Sequence, residues 1–78
     1  MIVVVASTAL KHGCVHADIE HAFRNPIRVF PQGDGLVMLV GGDASGKLLE
    51  VGYMISADGA AVIIHAMPAR AKFLKGWE

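Results

Sequence analysis

The side-chain period of this chain changes once, at Asn25-Pro26, and that change restricts the fold more than any other feature. Before it, Val15, Ile19, Ala22 and Phe23 recur at the spacing of one helix face, with His16, Asp18, Glu20, His21 and Arg24 on the other side. Asp18 and Glu20 stand where the helix dipole favours negative charge and Arg24 where it favours positive charge. A residue before proline is pushed out of helical conformation, so an amphipathic helix over 15–24 stops at Asn25.

After Pro26 the apolar residues alternate with period two. Turn signals recur at Gln32-Gly33-Asp34-Gly35, at Gly41-Gly42-Asp43-Ala44-Ser45-Gly46 and at Ser56-Ala57-Asp58-Gly59. This punctuation sets four strands, at 27–31, 36–40, 47–55 and 61–67, joined by tight loops and therefore antiparallel. Pro31 suits only an edge strand or a strand end. Residues 2–6 are β-branched and read as a short strand or a docked N-terminal arm. Ser7 is placed to cap a turn over 8–12 that Gly13 ends, and residues 69–74 fit one helical turn before a loose tail carrying Trp77.

The expected fold is thus α+β: an N-terminal helical segment packed on a four- to five-stranded antiparallel meander sheet, in a single domain over residues 1–78. A chain of 78 residues buries only about 60% of the surface its unfolded form exposes. Its 54% hydrophobic composition and mean hydropathy of +0.50 exceed what so thin a core can hide. A second chain, either a homodimer mate or a protein partner, is therefore expected on part of its surface.

Several classes are disfavoured. Apolar runs of about five residues are far short of the roughly twenty that cross a bilayer, so no membrane span is expected. The start lacks a basic region and a cleavage site, and the single Cys14 fits a reducing, cytoplasmic setting. Seven basic against seven acidic residues argue against a strongly basic nucleic-acid binder; after Pro68, Arg70, Lys72 and Lys75 stand against Glu78 alone, which reads either as a solvated polar C-terminus or as a local basic edge. The glycines read as turn formers rather than a phosphate cradle, and Ser7 and Ser45 have no triad context. His12, His16 and His21 make a poor chelate, because Gly13 interrupts the helix and the step to His21 turns it to another face. Neither a metal nor an organic cofactor is expected.

Alternation places the candidate chemistry. In the strand at 47–55, Leu49, Val51, Tyr53 and Ile55 share one side, and Leu48, Glu50, Gly52 and Met54 the other. In the next strand Val62, Ile64 and Ala66 share one side, and Ala61, Ile63, His65 and Met67 the other. A two-residue turn at Asp58-Gly59 pairs Ala57 with Ala60, which sets Gly52 opposite His65 and Glu50 opposite Met67. Glu50 and His65 become diagonal neighbours, roughly 7–8 Å apart at their backbones. An imidazole moves protons near neutral pH and a carboxylate can orient it, while Gly52 leaves room for a ligand. The all-apolar face takes the helix. The other stays open, and its Leu48, Met54, Ile63 and Met67 offer a surface to a partner.

Lys11-His12-Gly13, the helix to Phe23, Asn25-Pro26 before Val29-Phe30, Gly46-Lys47-Leu48-Leu49-Glu50-Val51, and Ile63-Ile64-His65-Ala66-Met67-Pro68-Ala69-Arg70 follow one another in an order that resembles the BrnT family of type II toxins. The resemblance spans residues 11–74. It implies a RelE-like α+β fold, ribonuclease activity and an antitoxin partner. The chain departs from the family at Gly42 and Met67, where arginines thought to serve the RNA phosphate usually stand, and Arg70 is the candidate replacement.

Two functions follow, with a third behind them. The first is a metal-independent endoribonuclease that uses the RNA 2′-hydroxyl as nucleophile, with His65 as proton carrier, Glu50 as its orienter, Arg70 on the phosphate, and Lys11, His12 and Lys72 on the RNA backbone. The second is a non-catalytic interaction module on the same scaffold. Metal-dependent hydrolysis through the histidines is the third.

Overall fold

The computed structural model describes residues 1–76. Strand β1 (Val3–Val5) leads into a 3-10 turn (Ser7–Leu10), then α1 (His16–Arg24), β2 (Pro26–Gly33), β3 (Leu36–Gly42), β4 (Leu48–Ile55), β5 (Ala61–Pro68) and a second 3-10 turn (Ala71–Phe73). The tail carrying Trp77 lies outside the described residues.

One helix and a five-stranded sheet make the fold α+β, with strand order β1-β5-β4-β3-β2. Strands β2 to β5 form the expected antiparallel meander, but β1 runs parallel to β5, with Val4 beside Val62. The sheet is therefore mixed, and the helix follows a strand rather than opening the chain. The physical reason is the connection. The 3-10 turn and α1 carry the chain from β1 at one sheet edge to β2 at the other, and the meander returns to β1 only at its fourth strand, β5, which arrives in the same direction as β1.

Asn25 closes α1 from both sides: its backbone N–H donates to Ala22 O at 3.2 Å, and its side-chain amide to His21 O at 2.7 Å. Ser7 does not cap the first 3-10 turn; Ala6 holds that position, and Thr8 instead sends its hydroxyl to Ile64 O at 2.7 Å. The buried face of α1, Ile19 and Ala22, packs with Ala9 on Leu39, Leu49, Val51, Ile63 and Ala66. Gly41 permits the closest approach. A Cβ there would lie 2.1 Å from Ala22 O, so this glycine is needed for helix-on-sheet packing rather than for a turn.

The opposite face is not left open. Residues after Pro68 fold back across it, and Phe73 joins Met38 and Val40 in a second cluster supported by Phe30, Leu48, Ala69 and Leu74. Leu48 is thus largely covered by the chain's own C-terminal segment.

The β4–β5 hairpin differs from the expected two-residue turn. Ser56 N–H donates to Ala60 O at 2.8 Å and Gly59 N–H to Ser56 O at 2.9 Å, with Gly59 at φ 88°, which makes a three-residue loop with a left-handed closing glycine. Tyr53 pairs with Ile63 and Gly52 with His65, leaving Ile64 as an extra residue in a β-bulge. The bulge reverses the facing of everything before it on β5. Ile63, expected on the open face, is 0% exposed in the core beneath α1.

Candidate active site

Glu50 sits mid-strand on β4 between Val40 of β3 and Met67 of β5, and the C-terminal segment covers it completely. An ionised carboxylate so placed is costly unless its oxygens are bonded. Here they are. Oε1 accepts from the Arg70 backbone N–H at 2.9 Å and from its Nε at 3.0 Å; Oε2 accepts from Arg70 Nη2 at 2.7 Å and from His65 Nε2 at 2.8 Å. Burial alone pushes the Glu50 carboxyl up in pKa. The Arg70 guanidinium and backbone N–H and the His65 imidazole outweigh it, and the pKa falls to about 2.

That ionisation fixes the imidazole. A carboxylate can only accept, so the proton between Glu50 and His65 belongs to Nε2, and in the neutral ring Nδ1 carries the lone pair. The His65 side chain is 25% exposed, enough for a substrate to reach it. Gly52, directly across from His65, does not leave room for a ligand: a Cβ there would lie 2.8 Å from Met38 Sδ and 3.2 Å from His65 Cβ, so the space is already filled by these two side chains.

Arg70 is less available than its charge implies, because Nε and Nη2 are both turned to Glu50. Met67, where the resemblance anticipates an arginine, is the cross-strand partner of Glu50, and the guanidinium at this carboxylate comes from the C-terminal segment instead. Gly42, the other departure, offers its carbonyl to His21 Nδ1 at 2.7 Å.

The remaining candidates divide. The His12 ring stands edge-on to His65, 5.6 Å between centroids, so the turn before α1 reaches the same site. Lys72 Nζ lies 5.0 Å from the centre of the Phe73 ring. Lys11 is exposed beside His12 on the chain and makes no bond to the Glu50 cluster. Met54 is 38% exposed on the face that carries Glu50, and Met67 is half-buried on that face. His16 pairs with Glu20 on its own helix at 3.7 Å. Among the described residues, no three His, Cys, Asp or Glu side chains are grouped to hold a metal ion, and no helix is long and apolar enough to cross a membrane.

Beside His65 lies a cleft of about 270 Å3, lined by Gln32, Leu36, Met38, His65, Arg70, Lys72 and Phe73. The alternation pattern does not reveal it, since one wall is the C-terminal segment folded back on the sheet. The one signal the sequence offers is Phe73 directly after Arg70 and Lys72.

No family model and no curated protein matches the sequence. Among solved structures, the chain is similar to the ribonuclease toxin BrnT of Brucella abortus, known from a crystal structure at 1.1 Å: the two share 19% identity, and the match covers 90% of this chain and 99% of that one with a TM-score of 0.65. This chain has a BrnT-like fold.

Proposed function

We propose that this chain, built on the fold of a ribonuclease toxin, is a toxin-like endoribonuclease that cleaves RNA without a metal ion. The observation that carries the reading is the 2.8 Å bond from His65 Nε2 to the buried Glu50 carboxylate, which presents Nδ1 as a base of fixed orientation. In the reaction, His65 Nδ1 takes the proton of a ribose 2′-hydroxyl and the 2′-oxygen attacks the adjacent phosphorus. The P–O5′ bond breaks, and the leaving 5′-oxygen receives a proton. Products are a 2′,3′-cyclic phosphate and a 5′-hydroxyl. The ring contact of His12 with His65 supports His12 as the group that supplies the second proton. Arg70 braces Glu50 and keeps Nη1 for the phosphate, while Lys11 and Lys72 hold the RNA backbone. An antitoxin-like protein that covers the cleft would silence the site.

The test is cleavage of a mixed-sequence RNA in EDTA by protein purified free of any partner. Cleavage lost in His65→Ala supports the reading, and intact RNA after exposure to the folded wild-type protein removes it.

A second reading, a non-catalytic module for a partner or a second copy of the chain, is favoured by one observation. Val4, 46% exposed, and Met54, 38% exposed, both pair with Val62 and form an apolar row on the face that carries the cleft. It predicts a dimer or heteromer by light scattering that Met54→Asp disperses; a monomer at all concentrations and with every candidate partner excludes it.

A further inference from the structure

We infer that the cleft beside His65 seats a single nucleobase of the RNA, with the Gln32 side-chain amide reading its edge; this rests on the ribonuclease reading above.

A nucleotide presents flat apolar ring faces, a polar ring edge and an anionic phosphate. The cleft presents a complement to each. Its apolar lining is Leu36, Met38 and Phe73, contributed by β3 and the second 3-10 turn, with Met38 and Phe73 buried. Its polar lining includes His65, Arg70 and Lys72, the imidazole and two cations that a phosphate would meet. The volume, about 270 Å3, is below the roughly 300–1,000 Å3 typical of clefts for drug-sized ligands, yet ample for one heteroaromatic ring system.

Gln32 supplies the polar edge. It lies on β2, the edge strand, and its Nε2 donates to Phe30 O at 3.0 Å. That bond occupies the amide nitrogen and leaves Oε1 as an acceptor for a ring N–H or an exocyclic amino group. The Phe73 ring is held in place by Phe30, 5.5 Å away between centroids, and the Arg70 guanidinium lies 5.8 Å from its centre. A base in this cleft brings its own ribose phosphate to the His65 imidazole, so the same contacts that hold the base choose which bond is cut.

The experiment is an amide chemical-shift titration of the wild-type protein with cytidine 3′-monophosphate, adenosine 3′-monophosphate, ribose 5-phosphate and inorganic phosphate. At least one nucleotide is expected to shift Gln32, Leu36 and Lys72 and to bind at least tenfold more tightly than ribose 5-phosphate. Gln32→Ala is expected to weaken that nucleotide by about three- to tenfold, the worth of one hydrogen bond, and to leave ribose 5-phosphate unchanged. Nucleotides that bind no better than ribose 5-phosphate, or whose shifts fall outside the cleft, overturn the inference. No step of this titration needs cleavage: a protein that seats nucleotides but leaves RNA intact keeps the cleft and loses the reaction, and one that cuts RNA but ignores the base does the reverse.

Discussion

Glu50 and His65 meet side chain to side chain at 2.8 Å from adjacent strands, and the carboxylate of that pair is fully buried while the imidazole reaches solvent. The asymmetry separates their roles. Glu50 fixes a tautomer and an orientation, and only His65 can touch a ligand. Arg70 makes the arrangement possible by binding the carboxylate through both its backbone and its guanidinium.

Replacing Glu50 by Gln therefore damages stability as well as any chemistry. The neutral amide cannot accept from all four donor atoms, and Arg70 keeps a partly covered charge without a counter-ion. Removing one partner of a buried pair costs about 3–5 kcal/mol, and because Arg70 is half exposed a loss at or somewhat below the lower end is expected. Urea unfolding of Glu50→Gln should show a loss of roughly 2–3 kcal/mol with the slope unchanged. A variant as stable as the wild type would mean that the pair does not hold the C-terminal segment.

The same carboxylate sets the acid limit. Its pKa is about 2 in the folded chain against an ordinary 4.5, so the stability it contributes is fully present above pH 4.5 and is lost as pH falls toward 2. Asp43 and Asp58 are also held below their ordinary values, chiefly by the hydroxyls of Ser45 and Ser56, and act in the same direction. Circular dichroism during acid titration should show unfolding concentrated in that window. In Glu50→Gln the midpoint should become less dependent on pH there.

Much of this was legible in the sequence, for reasons that particular residues make plain. The helix shows as periodicity because one of its faces is buried and one is not, whereas β3 and β4 are buried on both faces and show instead through the glycine-rich turns that bound them. The expected register of Gly52 with His65 and Glu50 with Met67 holds although the turn has three residues instead of two, because the bulge at Ile64 restores it by the same single step. Between the loop and the bulge the error persists, and there Ile63 falls on the wrong face. Parallel pairing of β1 leaves no local trace, since it depends on a crossover. The fold-back of Phe73 is a contact between residues distant in sequence, and no local pattern announces it.

The facing of β5 gives a direct contrast. Ile63→Asp buries a charge with no partner in the core, at more than about 4 kcal/mol, out of a total stability of roughly 4–12 kcal/mol for a domain of this size. Met54→Asp stands on an exposed position and should cost less than about 1 kcal/mol. Thermal melts should find Ile63→Asp unfolded or nearly so and Met54→Asp cooperative. Equal behaviour of the two would place the bulge elsewhere on β5.

Two adjacent glycines test the packing of α1 on the sheet. At Gly41 an added methyl would lie 2.1 Å from the Ala22 carbonyl oxygen and 2.9 Å from that of Asn25, both backbone atoms that can move only if the helix moves. At Gly42 the nearest atom to such a methyl is Gly46 Cα at 3.9 Å, an ordinary contact. Overpacking against backbone costs about 1–3 kcal/mol and at times more, so Gly41→Ala should lower stability by about 3 kcal/mol while Gly42→Ala stays within about 0.5 kcal/mol of the wild type. Because His12 lies only four residues before the first residue of α1, a shift of the helix in Gly41→Ala should displace the His12 ring from His65, visible as a change in the ring-proton shifts of both histidines. Unchanged shifts in a destabilised Gly41→Ala protein would show that the His12 turn is held by its own contacts and not by the seat of α1.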